Sequence, residues 1–324
     1  MDLSLFFAGT AGSVPTPKRG LPALLLRAGG ERILFDCGEG TQHQLLRSIG
    51  LPDIDAIFIS HLHLDHWLGL PGMIKTFEMR DRDRRLDVYG PPGLGTLFNT
   101  VLRPVIGRTK YPLDVVELEH HEEVRWDDFV IASFPVNHRI EAYGYAFIEH
   151  DRPGRFDVAA ARALGVAEGP DFGRLQRGET VDGVTPEQVV GESRPGRRIV
   201  YTGDTAPVQS VEIYADHADL LVHEATFRED ERARARETGH STAAQAARTA
   251  KDADVKLLAL THLSTRYFPR EIRDEAREIF ENTVVPRDFD RIEIPFPERG
   301  EPALVKASED MQPKDPLVRD SPTS

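Results

Sequence analysis

Short apolar runs of strand length recur along this 324-residue chain, and four of them end on a side chain able to bind a metal. Ala56-Ile57-Phe58-Ile59-Ser60 runs into His61-Leu62-His63-Leu64-Asp65-His66, and Phe129–Phe134 leads to Pro135-Val136-Asn137-His138. Ile199-Val200-Tyr201 leads to Thr202-Gly203-Asp204, and Leu257–Leu260 leads to Thr261-His262. Runs of this length and composition predict buried strands. Residues 1–149 alternate them with turns and helices, as a layered α/β domain does, and strand ends in such folds converge on one rim. Helices are expected from Asp157 to Leu164, capped near Asp157 and stopped by Gly165, from Thr242 to Lys251, and from Pro269 to Glu281. Between about 150 and 197 the strand pattern fades into a stretch rich in Gly, Pro and Arg. A segment so long and weakly patterned inside a compact domain is functional or disordered. From about residue 299 the chain is polar, acidic and Pro-containing, and a disordered tail is expected.

The segment His61-Leu62-His63-Leu64-Asp65-His66 carries the strongest chemistry, with four ligand-type side chains in six residues. Imidazole and carboxylate together suit zinc or another borderline divalent ion. Alternate side chains diverge in an extended chain, so one ion cannot collect all four. His61 and His63 are therefore expected to face one metal, and Asp65 and His66 a second. A lone His after a strand is more often structural. Four strands delivering His, His, Asp and His to one rim complete a site for two ions.

This constellation resembles the metallo-β-lactamase superfamily, whose HxHxDH signature stands here as His61, His63, Asp65 and His66. The resemblance implies an α/β fold, an αββα sandwich with a dinuclear site at one edge. It places His61, His63 and His138 on the first ion, Asp65, His66 and His262 on the second, and Asp204 between them. Zinc is the expected metal, with manganese or iron as substitutes.

Within the superfamily, the metal motif alone leaves hydrolases of lactams, thioesters, lactones and phosphodiesters open. Further segments resemble ribonuclease Z in its short form. Gly9–Arg19 looks like that family's Gly-rich and Pro-Lys-Arg substrate loop, although Gly20 stands where the family usually has Asn. Phe35–Gln42 matches the next block, and His223-Glu224-Ala225-Thr226 and His240-Ser241-Thr242 match two short loops that separate the family from lactamases. Residues 150–178 resemble its flexible tRNA-gripping arm, including Gly169-Pro170. The resemblance implies an endoribonuclease that removes the 3′ trailer from precursor tRNA, leaving a 3′-hydroxyl on the tRNA and a 5′-phosphate on the trailer, and working as a homodimer. Asp65 is then the expected general base, and His240 the proton donor to the leaving 3′-oxygen, held by Glu224. Lys18, Arg19, Thr242, Arg266, Arg155, Gly169, Pro170 and Arg174 are the expected substrate contacts. Phe156 and Phe172 are apolar anchors or stacking faces. A single domain over 1–298 with the arm inserted at about 150–197 follows. A small-molecule hydrolase and a tRNA-binding scaffold with a vestigial site are the competing readings.

Composition adjusts this picture at its edges. No run of 18 apolar residues occurs, and Met1-Asp2-Leu3-Ser4 lacks a basic stretch before an apolar one, so neither membrane span nor signal peptide is expected and the cytoplasm is. The single Cys37 ends an apolar run and reads as a buried thiol. A net charge of −13 is unfavourable for nucleic-acid binding at first sight. Lys is confined to seven positions, however, and an acidic, Lys-poor chain suggests adaptation to high salt, as in a haloarchaeon. There a Debye length of about 3 Å near 1 M salt hides the net charge from its substrate. His223, after Leu220-Leu221-Val222, is expected to be a core histidine. Arg80, Arg82, Arg84 and Arg85, interleaved with Asp81 and Asp83, are expected to form a solvated, self-paired face.

Overall fold

In the computed structural model, which describes residues 1–308, β1 (Leu3–Gly9) is buried along its whole length. A strand without a polar face needs cover on both sides, and the chain supplies it by stacking two sheets and flanking each with helices. The first sheet orders its strands β15-β14-β1-β2-β3-β4-β5-β6. These are β2 (Ala23–Ala28), β3 (Glu31–Phe35), β4 (Ala56–Phe58), β5 (Leu86–Gly90), β6 (Leu113–Glu117), β14 (Arg291–Glu293) and β15 (Ala303–Val305). The second runs β13-β12-β11-β10-β9-β8-β7. It comprises β7 (Glu123–Arg125), β8 (Phe129–Pro135), β9 (Tyr143–Glu149), β10 (Arg198–Tyr201), β11 (Leu220–Glu224), β12 (Leu257–Thr261) and β13 (Thr283–Val284).

Side chains alternate between faces along each strand. Leu5, Phe7, Phe35 and Phe58 meet Tyr145, Phe147, Tyr201 and Val222 in the core between the sheets. Phe6, Leu34 and Ile57 face the other way, onto the helix Leu70–Met79, whose buried Leu70, Met73, Ile74 and Phe77 fall at helical spacing. On the far side Val200, Leu221 and Leu258 pack under Ala243, Ala246, Ala247 and Ala250 of the helix Ala243–Asp252. The result is the αββα sandwich expected from the signature. Truncating one fully buried ring such as Phe7 to Ala costs about 3–5 kcal/mol in cores of this kind.

The parallel strands β10, β11 and β12 pair in register, Tyr201 with Val222 and Val222 with Ala259. That register is what brings Asp204, Glu224 and His262 to a common rim. Phe35, Phe58, Tyr145 and Tyr201 form an aromatic layer directly beneath it, with ring centroids 5.1 to 6.0 Å apart.

Three expectations need correction. Arg82 is not on a solvated face: its guanidinium is buried, donates to the carbonyls of Ile54, Arg84 and Arg85, and stacks on Phe77 and Tyr111. Residues beyond 299 do not leave the fold at once, because β15 pairs antiparallel with β14 through residue 305. The rest of the expected tail, 309–324, lies outside the described residues. Third, the arm has its own apolar core of Ala161, Val166, Leu175, Val181, Val184 and Val189. Phe156 and Phe172 pack on each other and against that core, so they are internal supports rather than stacking faces for a substrate. The expected helices are present as Val158–Ala163, with Asp157 capping the Ala160 N–H, Ala243–Asp252, and Pro269–Arg277. Among the described residues, no helix is long and apolar enough to cross a membrane.

Candidate metal centre and active site

The chain leaves β4 extended through His61 and then turns into a single helical turn, Leu64–Trp67, capped at His63. This change of geometry splits the four ligand-type residues. His61 and His63 stand with His138, which follows β8, and Asp65 and His66 stand with His262, which follows β12. Asp204, after β10, reaches both groups. Its Oδ2 lies 3.7 Å from His61 Nε2 and 3.2 Å from His262 Nε2, and its Oδ1 lies 3.5 Å from His66 Nε2. The ligand atoms in each group lie within 4.8 Å of one another.

The donor set fits divalent ions on an observation internal to the protein. His66 Nε2, His262 Nε2 and Asp204 Oδ1 are buried without a hydrogen-bond partner among the described residues. Orphaned buried polar atoms are costly, and here all three point into one cluster of imidazoles and carboxylates. Burial drives the His61 ring well below its ordinary range, helped by His66. Burial would do the same to His66, but Asp204 and Asp36 override it and hold that ring well above its ordinary range. Burial likewise opposes charge on Asp204, yet His262 and His66 keep it well below the usual carboxylate range. Ligation needs neutral imidazoles, so a bound ion would take the place of the proton that these carboxylates otherwise hold on His66.

The supporting shell was not assigned from the sequence. Asp36 is buried beneath the site and accepts from His66 Nδ1 at 2.7 Å, Tyr201 Oη at 2.6 Å and the Ser60 N–H at 2.7 Å. It thereby fixes which His66 nitrogen faces the cluster. Its sequence signals are its position at the end of apolar β3 and its place within the Phe35–Gln42 block, neither of which states this role. Thr226 does the same for His262, with its Oγ 2.9 Å from Nδ1, and donates to Glu224 Oε2 at 2.7 Å. His138 Nδ1 donates to the Gly239 carbonyl at 2.8 Å. His262 itself sits at φ 56°, a left-handed conformation rare for a residue with a side chain. Gly12 closes over its ring so tightly that an added Cβ would lie 2.5 Å from Nδ1.

His240 and Glu224 are brought together as expected, Nδ1 to Oε1 at 2.8 Å. His240 Nδ1 also lies 3.8 Å from Asp204 Oδ2. Burial pulls the His240 ring down, but the Glu224 carboxylate outweighs it and lifts the pKa to about 9. Glu224 is fixed in turn by the N–H groups of Thr205 and Thr226 at 3.0 and 3.1 Å. Asp65 Oδ2 accepts from the Ser13 N–H at 2.9 Å, which ties the Gly9–Arg19 loop to the centre. His223 is a core residue, buried, its Nδ1 2.7 Å from the Glu224 carbonyl. Cys37 is buried, and burial pushes its thiol up to about 12.

The expected substrate contacts divide. Lys18 is exposed on the loop. Arg19 turns inward, to Thr10 Oγ and to the Pro286 carbonyl at 3.0 Å. Thr242 is buried: its hydroxyl caps the Gln245 N–H and donates to Glu229 at 2.6 Å, so it serves the helix start rather than a substrate. Arg266 pairs with Glu231 at 2.9 Å. In the arm, Gly169-Pro170 opens the helix Pro170–Gln176, Arg174 pairs with Glu179 and Asp171, and Arg155 is exposed.

Residues 3–152 match the family described as anti-Pycsar protein Apyc1, and residues 172–263 match the β-lactamase superfamily domain. The structure resembles that of human tRNase Z, short form, with a TM-score of 0.65 and 29% identity, covering 90% of this chain and 99% of that one. It also resembles the metallo-β-lactamase fold protein YhfI from Bacillus subtilis, with a TM-score of 0.68 and 20% identity over 91% and 100% of the two chains. Relatives named ribonuclease Z are 45% identical in Haloferax volcanii, over 91% of this chain and 96% of the relative, and 42% identical in Archaeoglobus fulgidus, over 92% and 100%. One from Myxococcus xanthus is 44% identical over 91% of this chain and 98% of its own length. Identity at this level across nearly the whole chain, on this fold and around this cluster, makes the chain a member of the ribonuclease Z family, hydrolytic endoribonucleases of the metallo-β-lactamase superfamily.

Proposed function

We propose that this enzyme cuts the 3′ trailer from precursor tRNA, leaving a 3′-hydroxyl on the tRNA and a 5′-phosphate on the trailer, with two zinc ions per subunit. The observation that carries this reading is the His240 and Glu224 pair, hydrogen bonded at 2.8 Å beside a complete seven-residue ligand set. His61, His63 and His138 would hold one ion, Asp65, His66 and His262 the other, and Asp204 both. Manganese or iron suits the same donors. Such a pair of ions supplies an activated water and a clamp on phosphate oxygens.

The chain's own groups then handle the protons. Asp65, held in place by the Ser13 N–H, accepts one from the attacking water as its oxygen bonds to phosphorus. Opposite, the phosphorus bond to the 3′-oxygen breaks, and that oxygen takes a proton from His240. Since His240 Nδ1 is committed to Glu224, its Nε2 is the end that faces the substrate.

The exposed loop carrying Lys18 and the inserted arm are the surfaces for the tRNA body. In this reading the enzyme is a cytoplasmic homodimer adapted to high salt. The test is incubation of the metal-loaded protein with a trailer-bearing precursor in molar KCl, with an EDTA control and mapping of both new ends. A 3′-hydroxyl on the tRNA and a 5′-phosphate on the trailer are expected. Hydrolysis of small phosphodiesters without cleavage of the precursor would assign the chain to small-molecule chemistry instead.

A further inference from the structure

His240 also lines a cavity of about 570 Å³ that opens beside the metal centre. Asn137, Ala206 and Pro207 form one wall and Ala233, Arg236 and Gln245 the other. The first wall is built from the ligand loops themselves. Asn137 precedes His138, Ala206 lies two residues after Asp204, and the Ala206 N–H donates to the Asn137 carbonyl at 2.8 Å. Its volume falls within the range of small-molecule sites. Ala206, Pro207 and Ala233 offer an apolar surface for a flat ring, and Asn137 and Gln245 offer amides to its edge.

Two arginines at this place have no carboxylate. Arg232 and Arg234, on the same helix as Arg236, pair with Glu229 and Glu231. The guanidinium of Arg236 makes no hydrogen bond, ion pair or ring contact among the described residues, and neither does that of Arg139. The stem of Arg139 runs along Gly239, whose added Cβ would lie 3.1 Å from its Cγ and 3.2 Å from His138 Nδ1. Acids outnumber bases 53 to 40 in this chain. Two guanidinium groups left open beside the proposed proton donor suit a phosphate, whose oxygens match their planar fork.

We propose that this cavity is the subsite for the last nucleotide of the tRNA body, with Arg236 and Arg139 binding the phosphate on its 5′ side. The inference rests on the reading of His240 as donor to the leaving 3′-oxygen. That oxygen belongs to the last tRNA nucleotide, so the sugar that carries it lies against His240. The cavity His240 lines then receives the attached base, and the preceding phosphate falls toward the arginines.

The experiment uses precursor tRNA carrying one uncharged methylphosphonate, either 5′ of the last tRNA nucleotide or one phosphate into the trailer. Each is compared with unmodified precursor, using the wild-type dimer and Arg236→Ala. In wild type, the 5′ replacement is expected to lower kcat/KM roughly tenfold, as loss of a charge-assisted hydrogen bond does. In Arg236→Ala that loss is expected to shrink, because one of the two partners is already gone, while the trailer replacement acts alike in both proteins. Equal losses from the 5′ replacement in both enzymes would overturn the subsite. So would a result in which only the trailer replacement depends on Arg236, which would hand the cavity to the trailer. Failure of wild type to cut unmodified precursor would instead remove the tRNA reading, and this inference with it.

Discussion

Asp65 is both a ligand and the proposed proton acceptor, and the two roles separate by measurement. Asp65→Ala, assayed at metal occupancy confirmed by elemental analysis, is expected to lose about 10²–10⁴ in kcat, the usual contribution of a positioned base. Precursor tRNA affinity should hardly change, since the arm and the Lys18 loop are untouched. Near wild-type turnover at full occupancy would remove the assignment. The donor role of His240 has a sharper signature. A precursor with a more acidic leaving group needs less protonation, so it should rescue His240→Ala more than it accelerates wild type. Glu224→Gln tests the support. Burial alone lowers the His240 pKa and Glu224 raises it to about 9, so loss of the carboxylate moves the ring's titration downward. An acid lost at lower pH moves the alkaline limb of kcat/KM to lower pH, and an unmoved limb would deny Glu224 its part. These residues were legible because their chemistry dictates their types: His, Asp and Glu at strand ends have few structural uses in that number. Asp36, Thr226 and Gly12 were not, since their work depends on approaches that no local pattern encodes. Asp36 meets His66 across 30 residues and Thr226 meets His262 across 36.

At the scale of elements, the loop from Thr10 to Gly20 is pinned from below by one buried carboxylate. Asp288 accepts from Thr10 Oγ at 2.7 Å, the Gly20 N–H at 2.6 Å and Gln44 Nε2 at 2.6 Å. Gly20 is also where an added Cβ would lie 2.7 Å from Gln44 Nε2, so the larger residue usual in the family would require the Gln44 side chain to shift. Asp288→Ala leaves three donors without an acceptor, at about 1–3 kcal/mol for each one that stays buried. A lower melting temperature and a raised KM for precursor tRNA are expected together, because the loop that loosens carries Lys18 and touches Asp65 through Ser13. A changed melting temperature with unchanged KM would show the loop to be irrelevant to substrate. The arm can be excised cleanly at its base. Phe156 and Val190 are bridge partners and the Gly191 N–H donates to the Arg155 carbonyl, so a short Gly-Ser turn can replace residues 156–190. That variant should raise KM for precursor tRNA far more than it changes hydrolysis of bis(p-nitrophenyl) phosphate. A parallel fall in both would mean that the arm supports the fold. Helix ends in the arm were readable from Asp157 and Gly165, whereas the pairing of Phe156 with Phe172 was not, because its weak periodicity concealed a core.

For the whole molecule, the difficulty is how a protein of net charge −13 holds a polyanion. Counterion release is the usual source of affinity, and 6–10 phosphate contacts lose about 10³–10⁵ in affinity between 50 and 200 mM salt. Several arginines near the arm and the centre are already paired with acids. Arg174 is neutralised by Glu179 and Asp171, Arg266 by Glu231, and Arg152 and Arg194 share Glu298 at the base of the arm. What is left open, such as Arg236, Arg139 and Arg155, contacts few phosphates, so affinity must come more from shape, hydrogen bonds and 2′-hydroxyl contacts to the folded tRNA. Those terms do not vanish when the Debye length contracts to about 3 Å near 1 M salt, and the self-repulsion of excess carboxylates does. Thermal stability is therefore expected to rise between 0.2 and 2 M KCl, while KM for precursor tRNA changes by less than about tenfold, the mark of roughly one released counterion. Both quantities come from one salt series, melting by circular dichroism and cleavage under initial-rate conditions. A KM that climbs several hundredfold over that range would show that phosphate charge dominates recognition after all, and the salt-adapted reading would fall.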